Sequence, residues 1–402
     1  MGQREVKDTK PLDSLKLKLK SVKDQVIVIT GATSGIGLVT ARMAAEKGAK
    51  LVLAGMDKEA LESLAEDLSK ESSQNVVYLE TDVSKEEEVE KLAEKAIESF
   101  GGFDTWVNNA AVAIYGHVTD VPIEEARELF ETNYWGTVYG SLAAINHFKE
   151  KESPGALINM GSVVGNRTFP IQGTYSSSKF AVHSITDALR MEAEKDHIPV
   201  VISQIHPARV DTPYGDHAAS HIDKAPSHDG MMYPPESVAE AVLHAAEHPV
   251  RDVYVGGQSK MISVMGALMP RFTDRFMERS VYKTNYDETR EAGSPMDSTL
   301  YGEGEELKER GNNSGWRRKG SWMVKGKKHP LLFWIPLIGL ALTIVTLFMP
   351  ASLKKKEMHK AKKAMHKKKV KEMMKHPKEA YKIEQTMLKH PKTAAKIEKA
   401  LM

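Results

Sequence analysis

The chain contains no cysteine. Its 402 residues therefore hold no disulfide, no thiolate metal site and no cysteine nucleophile, and the redox compartment stays open. No secretory signal is visible either. Met1 to Asp24 is polar and charged and lacks an apolar h-region. Val6 stands where a myristoylation motif wants Ser or Thr. Arginine is absent from the last stretch of the chain. Ala351 to Met402 carries 17 Lys against 5 Glu, a net of +12, so the other 350 residues carry −10 of the overall +2. An acidic body with a basic tail implies two parts with different partners.

What the sequence does have is apolar material, 41% of it, enough for a sizeable core. One run is long and uncharged. Leu331 to Met349 spans 19 residues, about the length that crosses roughly 30 Å of hydrocarbon as a helix. Lys327, Lys328 and Lys354 to Lys356 flank it. Residues 329–350 are therefore expected to form a hydrophobic helix, transmembrane or monotopic. The tail, 351–402, repeats Lys375-His-Pro-Lys-Glu-Ala-Tyr-Lys-Ile-Glu as Lys389-His-Pro-Lys-Thr-Ala-Ala-Lys-Ile-Glu. Each copy reads as a short helix opened by proline. Such a basic helical tail suits membrane lipid headgroups in preference to nucleic acid. A solvated helix with no specific partner is the plainer alternative.

Ahead of these segments lie three regions. Residues 1–24 form a polar leader, whose alternation of Leu15, Leu17 and Leu19 with lysines admits a short strand or an interfacial segment. Residues 25–257 alternate apolar β-type runs with helical patterns, the signature of a parallel sheet with crossover helices. Seven strands are predicted, at 25–30, 50–54, 76–80, 105–108, 156–160, 200–206 and 252–255. Helices between them include 58–70, 85–100 and 124–150. Residues 258–328 open with an apolar, Met-rich helical stretch (Met261, Met265, Leu268, Phe272, Phe276) that reads as an oligomer contact or a pocket wall. They close in a Gly/Ser/Asn-rich linker from Gly311 to Lys328.

The first predicted strand runs into Thr30-Gly31-Ala32-Thr33-Ser34-Gly35-Ile36-Gly37, which opens a helix. Glycines there permit a tight turn and let the backbone approach a pyrophosphate, and the helix N-terminus offers unpaired N–H groups to it. About 25 residues on, a dinucleotide site usually carries an acid for the adenosine ribose. Here the second strand ends in Gly55-Met56, and Asp57 reads as the cap of the next helix. The missing acid tilts the cofactor choice from NAD toward NADP. Tyr175 and Lys179 lie four apart, on one face of a helix. An ammonium beside the phenol is expected to favour phenolate and lower its pKa. Ser162 follows a buried-type strand, at the end where open α/β sheets bind ligands. A Tyr and a Lys four apart are common by chance. The serine, the strand and the glycine loop give the pair its weight.

Together these motifs resemble the short-chain dehydrogenase/reductase family, over roughly 25–257. Beyond the glycine loop, Asp82-Val83 resembles that family's adenine-contacting pair. Asn108-Asn109-Ala110-Ala111 resembles its Asn-Asn-Ala-Gly motif, with Ala111 for glycine. Asn133 resembles the helix asparagine of the proton relay. Pro207-Ala208-Arg209-Val210-Asp211-Thr212 resembles the stretch beside the nicotinamide, with Ala208 for glycine. The resemblance implies a Rossmann-like doubly wound sheet of seven parallel strands and a carbonyl/alcohol reaction. It implies Tyr175 as proton donor, Ser162 holding the substrate oxygen, Lys179 on the nicotinamide ribose and Asn133 positioning a relay water. Gly31, Thr33, Ser34, Gly35, Ile36, Gly37, Asp82, Val83, Asn109, Pro207, Val210 and Thr212 would hold the cofactor with Tyr175 and Lys179. A homo-oligomer is expected. His217, His221 and His228 fall in the stretch that is a substrate lid in the family. Without cysteine or a His-Glu pattern they do not suggest a metal.

The expected location is a membrane, with the enzyme domain in the cytoplasm. One span cannot satisfy both that placement and the positive-inside tendency of the tail. A re-entrant or monotopic segment broken near Pro336-Gly339, a second membrane contact, or a tail translocated against the rule would resolve the conflict. The competing functional class is a non-catalytic nucleotide-binding membrane protein whose tail does the work.

Overall fold

Seven apolar runs pair into one sheet: β1 Val26–Thr30, β2 Lys50–Gly55, β3 Val76–Glu80, β4 Thr105–Asn108, β5 Gly155–Met160, β6 Val200–Pro207 and β7 Asp252–Val255. A computed structural model describes residues 10–71, 76–302 and 307–328. The strand order is β7-β6-β5-β4-β1-β2-β3, and every pairing is parallel. All seven expected strands form, within one or two residues of the sequence reading. Parallel strands need crossovers, so helices cover both faces, and strands buried on both sides read as unbroken apolar runs. Alternation sorts the side chains of β1. Ile27 and Ile29 join one core with Leu38, Ala41 and Ala45 of α1 (Gly35–Glu46). Val26 and Val28 join the opposite core with Trp106, Phe148 and Leu189. The winding direction reverses between β1 and β4. A crevice opens at such a switch point, beyond the carboxyl ends of the strands.

Helix α2 (Lys58–Glu71) starts where Asp57 accepts the Ala60 N–H at 2.9 Å, so that aspartate is a cap as read. Helix α3 spans Glu86–Phe100. The predicted helix at 124–150 is present but not uniform. α4 (Ile123–Phe130) and α5 (Gly136–Lys151) are joined by a π-turn at Glu131–Trp135. Helix α6 spans Gly173–Lys195 and α7 spans Pro235–Glu247.

Two expectations need correction. The described part of the leader, from Lys10, forms no strand. Two short 3-10 turns, Ser14–Lys16 and Val22–Asp24, lie against the body, with the Ser14 hydroxyl donating to Glu194 and Val22 buried. Nor is Gly311–Lys328 a linker. Trp316–Arg317 pairs in parallel with Met231–Met232, and α10 (Trp322–Lys328) packs on the sheet edge. Glycine permits this: a Cβ on Gly315 would sit 2.3 Å from the Gly230 carbonyl oxygen. The Met-rich stretch forms α8 (Gly257–Leu268) and α9 (Pro270–Phe276), with Met261, Leu268 and Phe272 exposed. Among the described residues no helix is long and apolar enough to cross a membrane. Leu331–Met349 and the basic tail lie outside the described residues.

A polar network fixes how α5 approaches the sheet. The Asn108 carbonyl oxygen accepts from the Trp106 indole at 2.7 Å, and its amide donates to Asn159 at 2.9 Å. Gly140 lies directly over it, where a Cβ would come within 2.1 Å of Asn108 Oδ1. Gly140→Ala is expected to destabilise the protein by about 1–3 kcal/mol, the usual range for forcing extra volume into a packed interior. Gly293→Ala, at a position with nothing within 4 Å, is the control and leaves urea unfolding unchanged.

Candidate active site

The turn after β1 is shaped by close approach. Gly31 sits at φ +62°, and a Cβ on Gly37 would fall 1.9 Å from the Gly31 carbonyl oxygen. Asn109 braces the turn, donating its amide to the Thr30 and Gly31 carbonyls at 3.0 Å each. Thr30 Oγ1 accepts the Asn109 N–H at 3.0 Å in return.

This turn walls one end of a cleft of about 210 Å³. Gly31, Ser34, Gly35, Ile36 and Asn109 line that end. Ser162, Tyr175 and Lys179 also line the cleft, as do Pro207, Val210 and Thr212, the last 3.2 Å from where a Cβ on Gly35 would sit. Five expected site residues do not line it. Thr33 is buried beneath the turn, and Gly37 serves the close contact just described. Asp82 turns its carboxylate to Ser84 and Lys85, and Val83 packs against Gly136. Asn133 is wholly buried in the π-turn. It accepts the Val112 N–H at 2.8 Å and donates to the Val112 carbonyl at 3.0 Å and to Ser178 at 3.1 Å. Its amide therefore holds the cleft wall from behind.

Ser162 follows β5 in extended conformation, and Tyr175 and Lys179 project from α6. Lys179 Nζ donates to the Met160 carbonyl at 3.0 Å and lies 5.8 Å from the Tyr175 ring centroid. Burial brings the ammonium down to about 8. The expected lowering of Tyr175 does not occur. Burial pushes the phenol up to about 12, outweighing the Tyr214 and Ser162 hydroxyls that pull the other way. Desolvation disfavours the charged form of each group, and here it dominates.

Two parts of the site escaped the sequence reading. His183 continues the four-residue spacing of Tyr175 and Lys179, which was the available signal. Its ring lies between Gly161 and Gly165, where a Cβ on either would come within 2.6 Å. Burial, then the charges of His206 and Lys179, lowers it to about 3. It is neutral and accepts the Ser162 N–H at 3.4 Å. Behind it, His206 meets Asp252 at 3.0 Å. The second part is the segment from Leu307 to Arg318, a strap bonded to residues beside the cleft. Leu307 N–H donates to the Thr33 carbonyl, and Gly35 N–H donates to the Lys308 carbonyl, both at 2.8 Å. Asn313 donates to Asp211 Oδ1 at 3.1 Å, and Arg317 pairs with its Oδ2 at 2.5 Å. The strap then runs along His228, Gly230 and Met232 by backbone bonds. Among the expected lid histidines, His221 pairs with Glu125 at 2.6 Å, and His228 stacks near Tyr214.

Residues 25–222 match the model of the short chain dehydrogenase family. The chain is 52% identical over 331 residues to an uncharacterized oxidoreductase of Bacillus subtilis, covering 82% of this chain and 92% of that one. An alcohol dehydrogenase of Thermococcus sibiricus, solved with 5-hydroxy-NADP, is 29% identical. It covers 57% of this chain and 95% of its own, with a TM-score of 0.50. A short chain dehydrogenase of Burkholderia cenocepacia, solved with NADP, shares the fold at 24% identity and a TM-score of 0.54. That match covers 64% of this chain and 99% of that one. The chain belongs to the short-chain dehydrogenase/reductase family and is an oxidoreductase of that type.

Asp211 is fully buried, with Arg317 and Arg310 on one carboxylate oxygen and Asn313 on the other. Arg317→Ala leaves that carboxylate under-paired. An expected loss of about 1–3 kcal/mol follows, the range for a buried polar group deprived of a partner. Urea unfolding of the full chain measures it, and Arg318→Ala is the control.

Proposed function

We propose that the protein interconverts a carbonyl and an alcohol by hydride transfer with NADP, in preference to NAD, and that Tyr175 is the proton-transfer residue. One observation carries this reading. Two hydroxyls and an amine, from Ser162, Tyr175 and Lys179, meet in a cleft whose other end is a glycine turn on a helix N-terminus. That turn lines the cleft with Gly31 at φ +62° and Gly35 at φ +49°, which fits a diphosphate lying against bare backbone. The tip of β2 presents Gly55 and Met56, with no carboxylate to repel a 2′-phosphate, and this supports NADP. The cofactor, when bound, supplies the hydride.

The chain's own groups do the rest. Ser162 Oγ holds the substrate oxygen. Tyr175 Oη, protonated throughout the physiological range, donates a proton as that oxygen gains charge. Lys179 binds the nicotinamide ribose. Asn133 acts as a positioning residue through Val112. A relay water held by Asn133 belongs to the same proposal and rests on family resemblance. The nucleotide-sensor alternative has no use for a buried proton donor.

We further propose that Leu331–Met349 attaches the enzyme to a membrane with the described body in the cytoplasm, supported by 19 uncharged residues between lysines. Protease protection of tags at both ends in sealed vesicles tests it, and a protected N-terminal tag would overturn it. The anchor favours a lipid-soluble substrate only through location. The exposed apolar residues of α8 and α9 suit a second copy, which light scattering of the purified body would detect.

Tyr175→Phe is expected to lower kcat by at least about a thousandfold, within the range that general acid catalysis and its coupled steps supply, with NADPH affinity nearly intact. Wild-type-like turnover would overturn the role. The pH dependence has a defined sign. Lys179 is charged below about 8 and neutral above it, while Tyr175 keeps its proton to about 12. Reductive kcat/KM therefore falls as pH rises through about 8. The same limb of kcat lies at higher pH, because the bound dinucleotide's negative charge favours the ammonium.

A further inference from the structure

Beyond Tyr175 the cleft wall turns polar, and its polar atoms lack partners. Tyr214 Oη, Gln172 Nε2 and His228 Nδ1 are buried and make no hydrogen bond among the described residues. All three side chains line the cleft. The Tyr214 hydroxyl is near enough to Tyr175 to affect its titration, yet the pair is outside bonding geometry. Tyr115 Oη, also without a bond of good geometry, is near enough to the Gln172 side chain for the two to influence each other. Native interiors satisfy nearly all such groups, so a cluster of exceptions in one cavity calls for a ligand.

Two further observations give that ligand a charge. Arg209 lines the same wall, and its guanidinium donates to three neutral acceptors: the Asp229 backbone carbonyl at 2.7 Å, Thr284 Oγ1 at 2.5 Å and Asn285 Oδ1 at 3.1 Å. Five N–H groups are available on a guanidinium, so these bonds do not exhaust it. Among the described residues no Asp or Glu lines the cleft, whose charged side chains are Lys179 and Arg209. The backbone is also strained at this wall. Ile171, β-branched, is held at φ +55°, immediately before Gln172. A β-branched residue in the left-handed region is an outlier, and such strain concentrates where a ligand is clamped.

We propose that the substrate is an acid: a small keto or hydroxy compound whose carboxylate is bound by Tyr214 and Gln172 beside Arg209. This rests on the oxidoreductase reading and adds the substrate class to it, a charged one in place of the lipid-soluble one that location alone would favour. Tyr214 and Gln172 present donors, Arg209 supplies the positive charge, and a carboxylate offers two acceptor oxygens and the matching negative charge. His228, neutral because burial lowers it to about 3, adds a ring nitrogen without adding charge. The rings of Tyr175 and Tyr214 are 5.3 Å apart between centroids, so the carboxylate lies a few bonds from the reacting carbon. A neutral ketone would leave these atoms unpaired. Sites built to bond a polar group reject analogues that lack it far more strongly than apolar pockets discriminate by size.

The test uses full-length protein loaded with NADPH and matched pairs of short 2-, 3-, 4- and 5-oxo acids with their methyl esters. The expected result is that at least one acid exceeds its ester by about 100-fold or more in kcat/KM. Tyr214→Phe and Gln172→Leu should shrink that ratio at least about tenfold, with NADPH affinity as the check on folding. Esters turned over as well as acids, or variants that leave the ratio unchanged, overturn the proposal. Calorimetric titration of the NADPH complex with the same pairs separates the two readings. Acid-selective binding without turnover of any pair supports the acid site and defeats the hydride reading. No acid-selective binding overturns the acid site, whatever the turnover.

Discussion

Desolvation acts in opposite directions on Tyr175 and Lys179. It takes the phenol up to about 12 and the ammonium down to about 8, because each charged form loses water that the cleft does not replace. The two values, nearly equal in water, are driven apart. At neutral pH the tyrosine is an acid that keeps its proton, and the lysine keeps its charge with little to spare. A dinucleotide's phosphates and the proposed substrate carboxylate both bring negative charge into this cleft. Each stabilises the ammonium, so binding and protonation favour each other. The molecule is arranged to sustain that burial: α6 carries both groups, and the Met160 carbonyl holds the amine.

The strap packs beside the cleft. Leu307 to Arg318 crosses the glycine turn at Thr33 and Gly35, and then the loop from Asp211 to Met232. It thereby ties the cofactor end to the lid end through one length of chain. The cap on Gly35 also matters. The Lys308 carbonyl takes an N–H at the α1 terminus, and Ile36 faces the cleft next to it. The region once read as a linker is therefore part of the body.

The sheet was legible because parallel strands buried on both faces cannot be polar. Val26–Thr30 and its six partners announced themselves as apolar runs. That Ser162, Tyr175 and Lys179 share one cleft was legible from spacing, since Tyr175 and Lys179 share a helix face and Ser162 follows a strand. Other features had no local signature. Gly/Ser/Asn-rich sequence reads as linker whether it is free or pressed onto a neighbour. Only the neighbour, here the backbone at Gly230 and Thr212, distinguishes them. The sign of the Tyr175 shift was misread for a related reason. Spacing places an ammonium near a phenol, but it does not show how much water the fold removes from both. The two alanines that replace family glycines were simpler than their sequence suggested. Neither Ala111 nor Ala208 adopts positive φ, so neither position needs glycine's freedom. At Ala208 the space comes from Gly256, at φ +106°, where a Cβ would fall 3.1 Å from the Ala208 methyl.

His183 shows how far the spacing argument extends. Tyr175, Lys179 and His183 stand four apart on α6 and meet the cleft, the Met160 carbonyl and the Ser162 backbone in turn. A neutral imidazole accepts the Ser162 N–H, and a protonated one could not. The low value of His183 is thus a condition for holding Ser162 in place. Gly161 and Gly165 give the ring its room, so a serine flanked by glycines is explained by the histidine between them. Asp252, ionised because hydrogen bonding from His206 and the charge of Arg190 outweigh burial, orients His206 from the far side. One helix face therefore carries the proposed proton donor, the cation and the support of the Ser162 hydroxyl, and the polar chain behind it ends at the sheet edge.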